Sequence, residues 1–242
     1  MKYFLYKNKK YRIDSYGFLL YPEDWDEDFA CGMAPYVRIN GGLTEAHWKV
    51  IYFIRNTFEK INDCPLVYVA CRENKLGLGE LKRLFPKGYL RGACKLAGIT
   101  YRQGYSQNYW LKENFSRFKF TYANKSYDTD GLGFLLNPDD WDENFAIRTA
   151  YKLKMPGLLT AGHWSVIYYL REKHAENSVI PTVYETCEDN RIKINELEKL
   201  FPTGYHRGAI KIAGLRLLPG KADIKTNRNL VTANAGSYFK EI

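Results

Sequence analysis

The sequence predicts a mainly α-helical fold in two tandem domains, each opening with a short N-terminal β-hairpin. Three observations carry this. The chain repeats itself without a gap at a shift of 116 residues, which takes Trp25 onto Trp141 and Trp48 onto Trp164. Each copy starts with two alternating apolar and polar runs around a turn. The remainder of each copy places apolar residues at helical spacing, punctuated by Pro, Gly and Thr.

The repeat fixes the organisation. Phe4, Tyr6, Asn8, Lys9, Tyr11 and Asp14 recur as Phe120, Tyr122, Asn124, Lys125, Tyr127 and Asp130. Gly17-Phe18-Leu19-Leu20 recurs as Gly133-Phe134-Leu135-Leu136, and Asp24-Trp25-Asp26-Glu27 as Asp140-Trp141-Asp142-Glu143. His47-Trp48, Leu84-Phe85-Pro86 and Ala97-Gly98 recur as His163-Trp164, Leu200-Phe201-Pro202 and Ala213-Gly214. A period this long marks duplicated domains, not a solenoid. The expected boundaries are 1–105 and 118–222, with a polar and aromatic linker at 106–117 and a C-terminal extension at 223–242. A domain of roughly a hundred residues buries enough surface to fold unaided.

Within each copy the elements follow in order. FLYKNKKYRI and FTYANKSYDT alternate around an Asn-Lys turn, as a hairpin does. PEDWDEDFA and PDDWDENFA carry Pro and then acids, the pattern of a helix start. Thr44 and Thr160 are suited to cap the next helix. There Trp48, Ile51, Phe58 and Ile61 fall near one face, as do Trp164, Ile167 and Leu170 in the second copy. Pro65 and Pro181 precede short apolar runs. A short helix from Glu80 is stopped by Pro86, Gly88 permits a turn, and Tyr89 to Ala97 make a last helix with Gly98 just past its end. The aligned tryptophans are expected to be mostly buried.

Composition narrows the class. Five Trp, 13 Phe and 20 Tyr among 242 residues are ample for packed cores. The formal charge of +9 suits acidic partners, such as nucleic acid or an acidic protein face, and equally a solvated basic surface. The five cysteines, Cys31, Cys64, Cys71, Cys94 and Cys187, form no CxxC. That leaves neither a zinc knuckle nor a thioredoxin-like motif, and no metal or cofactor is expected. No apolar run reaches the length of a signal peptide or of the ~20 residues that span a bilayer. A cytoplasmic protein with free thiols and no membrane contact is the expectation.

LFPKGYLRGACKLAG, ending at Gly98, resembles the end of the DsrC/TusE family, the gamma subunit of dissimilatory sulfite reductase and its sulfur-relay relatives. The Asp-x-x-Gly-Phe-Leu start, the Trp followed by acids and Ala, and the Leu-Thr-x-x-His-Trp helix with Arg55 or Arg171 resemble it too. The resemblance covers about residues 2–105 and 118–222. It implies a small, mostly helical fold whose mobile C-terminal arm carries sulfur on a near-terminal cysteine, as a persulfide or trisulfide. A second family cysteine lies earlier, in the ACK motif. Cys94 matches that earlier cysteine. The arm position is Tyr105 in the first copy, and in the second copy the two positions are Ile210 and Lys221. The family's Pro after FPxG is replaced by Tyr89 and Tyr205, and the Arg of its PxxR segment by Tyr68 and Tyr184.

The site candidates each have a plain alternative. Cys94, flanked by Arg91 and Lys95, is the one candidate sulfur-accepting thiol; among Ala93, Leu96 and Ala97 it also reads as a small buried hydrophobe. With no arm cysteine to pair with, no Cys94 disulfide is expected. Cys71 and Cys187 read as equivalent core residues, and His47 and His163 as satisfied structural histidines. The Asp-Trp-Asp-Glu clusters read as helix-start charges rather than an acid/base pair. Lys82, Arg83, Lys87, Arg91 and Lys95, with Lys199, Arg207 and Lys211, form basic helix-turn-helix-like segments for a protein partner or nucleic acid. No phosphate loop or catalytic triad appears. The expected function is a non-catalytic accessory or regulatory protein of sulfur metabolism. It would bind a sulfite-reductase-like or sulfurtransferase partner without persulfide relay. The alternatives are a nucleic-acid-binding regulator and a sulfur carrier acting through Cys94.

Overall fold

The structure is a computed structural model and describes residues 2–14, 16–99, 117–216 and 239–241. The linker at 106–116, the arm positions Tyr105 and Lys221, and nearly all of the C-terminal extension lie outside the described residues. The chain divides into two compact units, one centred on each copy. The fold is mainly α with a short antiparallel strand pair at the start of each domain.

In the first copy β1 (Lys2–Tyr6) pairs with β2 (Lys9–Ile13), Phe4 opposite Tyr11. The two turn residues are Lys7 and Asn8, both at positive φ (45° and 63°), one position earlier than the Asn-Lys turn expected. Positive φ at both central residues matches the twist of the two strands. The second copy repeats this with β3 (Arg117–Tyr122), β4 (Lys125–Asp130) and the turn Ala123-Asn124. Phe239–Glu241, as β5, adds a third antiparallel strand along β1.

The proline segments do not begin the next helix as the sequence suggested. Pro22–Asp24 forms a separate 3₁₀ turn, and helix α1 (Glu27–Met33) starts after it. Asp26 is the N-cap of α1 and accepts from the Phe29 amide at 2.9 Å. Pro138–Asp140 and α5 (Glu143–Lys152), capped by Asp142, repeat the arrangement. α1 stops short because Pro35 has no N–H to extend the ladder, and a 3₁₀ turn over Ala34–Val37 follows. Tyr151 stands at that position in the second copy, and α5 runs on to Lys152.

The long helices α2 (Glu45–Ile61) and α6 (Ala161–Asn177) each have 17 residues and begin after Thr44 and Thr160 as expected. Two short helices follow in each copy: α3 (Val67–Glu73) and α4 (Leu78–Leu84), then α7 (Val183–Asp189) and α8 (Ile194–Leu200). The last helical segment differs from expectation. Tyr89–Cys94 and Tyr205–Ile210 are π-helical, and only the final turn is α. A Cβ on Gly92 would lie 3.2 Å from the Phe85 Cβ, so this segment runs close against the residue that ends α4. The cores gather around Phe4, Phe29, Ile51, Ile54 and Phe85, and around Tyr127, Leu135, Phe145 and Phe201.

Candidate functional site

The candidate site is the end of the last helical segment, where Cys94 lies. A helix end leaves its last carbonyls without partners. Here side chains from two other elements satisfy them. The Trp25 indole N–H donates to the Leu96 carbonyl at 2.7 Å, and the Arg55 guanidinium donates to the Ala97 carbonyl at 3.1 Å. Arg55 also reaches the Pro22 carbonyl at 3.3 Å and lies over the Trp25 ring, 4.2 Å from its centroid. Trp141 and Arg171 do the same at Ile212 (2.8 Å), Ala213 (3.0 Å) and Pro138 (3.2 Å), with the cation 4.1 Å from the ring. Burial pushes the Arg171 guanidinium below its ordinary pKa. Gly98 has φ +65°, and a Cβ there would sit 2.5 Å from Trp25 Cδ1; Gly214 stands equally close to Trp141. Only glycine fits both the turn and the indole.

This clamp explains the tryptophans. Trp25, Trp48, Trp141 and Trp164 are largely covered, as expected, though none is fully enclosed. Trp48 stacks on Tyr52, whose edge meets Trp25. Trp25 and Trp141 cover the helix ends, and Trp141 also packs against the core of its own domain.

Cys94 is fully buried, 0% exposed, and its Sγ lies 3.3 Å from the Sγ of Cys64. Both are free thiols. The Tyr89 hydroxyl donates to the Pro65 carbonyl at 2.9 Å beside them, and burial pushes its pKa well up. In the second copy Ile180 and Ile210 replace the two cysteines. Tyr205 donates to the Pro181 carbonyl at 2.8 Å, and its oxygen lies 2.7 Å from that of Thr186. Cys64 is the residue sequence reasoning passed over. Its signal was readable: the two cysteines of the first copy replace two isoleucines of the second at matching positions. Cys71 and Cys187 are buried, and burial pushes the Cys71 thiol up to about 11.

The basic residues do not form one open face. Arg83 and Lys199 are exposed, while Lys82, Lys87, Arg91 and Arg207 are half-buried. Lys95 turns inward: its ammonium donates to the Tyr16 carbonyl at 2.8 Å and lies over the Phe18 ring. Lys211 is 9% exposed over the Phe134 ring, and burial lowers its pKa. These two lysines bind their own domain and are withdrawn from the basic segments on which the sequence placed them.

His47 and His163 are held by hydrogen bonds within their own domains. His47 Nδ1 accepts from the Thr44 amide at 3.0 Å, so the proton sits on Nε2, which donates to the Leu84 carbonyl at 2.9 Å. His163 Nδ1 accepts from the Thr160 amide in the same way. Burial lowers the pKa of both rings. The acidic clusters are likewise engaged. Burial alone would raise Asp26, yet Lys9, the Tyr11 hydroxyl (2.6 Å) and the Phe29 amide hold it below the ordinary carboxylate range. Asp142 is held down by Tyr127, Lys125 and Phe145. Asp24 takes two hydrogen bonds from Arg12. Among the described residues no group of three or more His, Cys, Asp or Glu is placed to hold a metal, and no helix is long and apolar enough to cross a membrane.

A family model described as DsrC like protein matches residues 5–104 and again 121–219. The chain is 39% identical over 93 residues to the sulfurtransferase TusE homolog of Haemophilus influenzae, covering 36% of this chain and 84% of that protein. It is 33% identical over 97 residues to the gamma subunit of the dissimilatory-type sulfite reductase of Nitratidesulfovibrio vulgaris, covering 39% of this chain and 89% of that one. Among solved structures, the oxidized gamma subunit (DsrC) from Archaeoglobus fulgidus is 34% identical, with a TM-score of 0.39. It covers 43% of this chain and 99% of that one. With the family matched twice over most of its length, the chain belongs to the DsrC-like family and carries its domain in duplicate.

Proposed function

We propose that this protein is an accessory or regulatory member of a sulfur-relay system. In this reading it binds a protein partner, a sulfurtransferase or a sulfite-reductase-like enzyme, and does not itself pass persulfide sulfur. The relatives' names, sulfurtransferase and sulfite reductase subunit, support this partner class. The carrying observation is the state of the matched thiol. Cys94 is fully buried and its counterpart is Ile210, so neither copy offers an exposed thiolate at this position. Sulfur acceptance needs an accessible thiolate. The setting we propose is the cytoplasm, where free thiols persist.

The test is binding measured apart from transfer. The purified full chain is immobilised and offered a TusE-partner sulfurtransferase and, separately, a dissimilatory sulfite reductase. One of them is expected to be retained equally by wild type and by Cys94→Ser. Loss of retention on that substitution, in a protein whose circular dichroism is unchanged, contradicts a thiol-independent role. Retention of neither enzyme contradicts the partner class.

A further inference from the structure

The first copy holds a feature that the family motif does not require and the second copy lacks: two buried sulfurs in contact. Cys64 lies in the irregular segment after α2, just beyond Asn62, whose left-handed φ of 52° ends the helix. Cys94 closes the π-helical segment. The two are 30 residues apart in sequence, and their Sγ atoms are 3.3 Å apart. A disulfide needs about 2.05 Å, so the sulfurs must approach by little more than an ångström. Cys94 is enclosed, whereas Cys64 is 4% exposed beside the half-exposed Asp63, so an oxidant reaches Cys64 first.

We propose that Cys64 and Cys94 form an oxidisable dithiol site, which hydrogen peroxide closes to an intramolecular disulfide. The Cys64 thiolate attacks one peroxide oxygen. The O–O bond breaks, hydroxide leaves and is protonated to water, and Cys64 becomes a sulfenic acid. The Cys94 sulfur then attacks the Cys64 sulfur. The S–S bond forms, the S–O bond breaks, and the hydroxide leaves as a second water with the Cys94 proton. Two thiols and one peroxide give one disulfide and two waters, the peroxide taking the electron pair. The absence of an arm cysteine had suggested that Cys94 forms no disulfide; Cys64 supplies the partner from another element. The bridge ties the loop after α2 to the segment that ends at the Trp25–Arg55 clamp. It also shortens the unfolded chain's freedom across those 30 residues, so the oxidised protein melts at higher temperature.

The proposal does not depend on any partner. Reduced full-length protein is treated with hydrogen peroxide, quenched by alkylation and digested. The expected result is a monomer lighter by two hydrogens, with a peptide pair linked through Cys64 and Cys94. Its melting temperature rises by roughly 5 °C or more, and dithiothreitol reverses every change. Cys31→Ser behaves as wild type. Cys64→Ile and Cys94→Ile, which copy the residues of the second domain, lose the link and the shift. The idea is overturned if Cys64 and Cys94 both remain alkylatable while Cys31 is oxidised or joins two molecules. It is equally overturned if the link forms only in denaturant. A gain of sulfur from a persulfide donor is a different mass change, so this test and that of the relay reading fail separately.

Discussion

Cys64 and Cys94 in the first copy stand where the second copy has Ile180 and Ile210, inside surroundings that share most contacts but differ at Ala70, which is Thr186 in the second copy. Tyr89 and Tyr205 donate to the Pro65 and Pro181 carbonyls in both. Trp25 and Trp141 cap the same helix end, with Arg55 and Arg171 over their rings. The frame is shared, while two positions that carry sulfur in one copy carry hydrocarbon in the other. A thiol and a branched aliphatic chain serve the same packing need in these two pockets. Residues at the clamp behave differently: each makes a bond or a close approach that a substitute cannot.

That contrast predicts an order of effects. Trp25→Ala and Trp141→Ala should cost the most, about 3 kcal/mol each, because each removes a ring, a cation contact and the partner of a buried carbonyl. Urea midpoints should fall alike in both; a fall in only one would break the equivalence of the copies. Gly98→Ala and Gly214→Ala come next, at about 1–3 kcal/mol, since the new methyl meets the indole at a positive φ; unchanged midpoints would contradict the clamp geometry. Asp26→Ala and Asp142→Ala should each lose about 1 kcal/mol as N-caps, read by the same titration.

The smallest effect is a pH dependence. Burial lowers the pKa of His47 and His163, so the unfolded chain binds protons that the folded rings refuse. Their contribution is complete above the ordinary histidine value of about 6.5 and is lost as pH falls below it. Urea midpoints should therefore drop between pH 7.5 and 5.5, and His47→Gln with His163→Gln should flatten the slope. A slope unaltered by the double substitution would place the titrating groups elsewhere.

Much of the fold was legible because local rules and tertiary packing agree at the places that were read. Thr44 and Thr160 begin helices, Gly98 and Gly214 end them, and the repeat forces both copies to share each assignment. The misses have physical causes. The π-helical form of Tyr89–Cys94 arises where Gly92 lets the segment close on Phe85, and no periodicity announces that contact. The proline turns at Pro22 and Pro138 stand apart because Asp26 and Asp142, several residues later, make the capping bonds. Lys95 and Lys211 read as open basic charges, but long side chains can lay an ammonium on an aromatic ring of their own domain. Of the candidate site, Cys94 was named from its motif. Its partner Cys64 was not, because a contact between a loop and a distant helix leaves no spacing rule in one copy.

The central claim, that the domain persists twice while its sulfur relay does not, is tested most directly by mass. The reduced native protein is incubated with a low-molecular persulfide donor, separated from it and weighed intact, then offered an acceptor thiol. The account predicts no stable gain of sulfur on wild type and nothing passed on. One added sulfur atom, absent in Cys94→Ser and delivered to the acceptor, would contradict it.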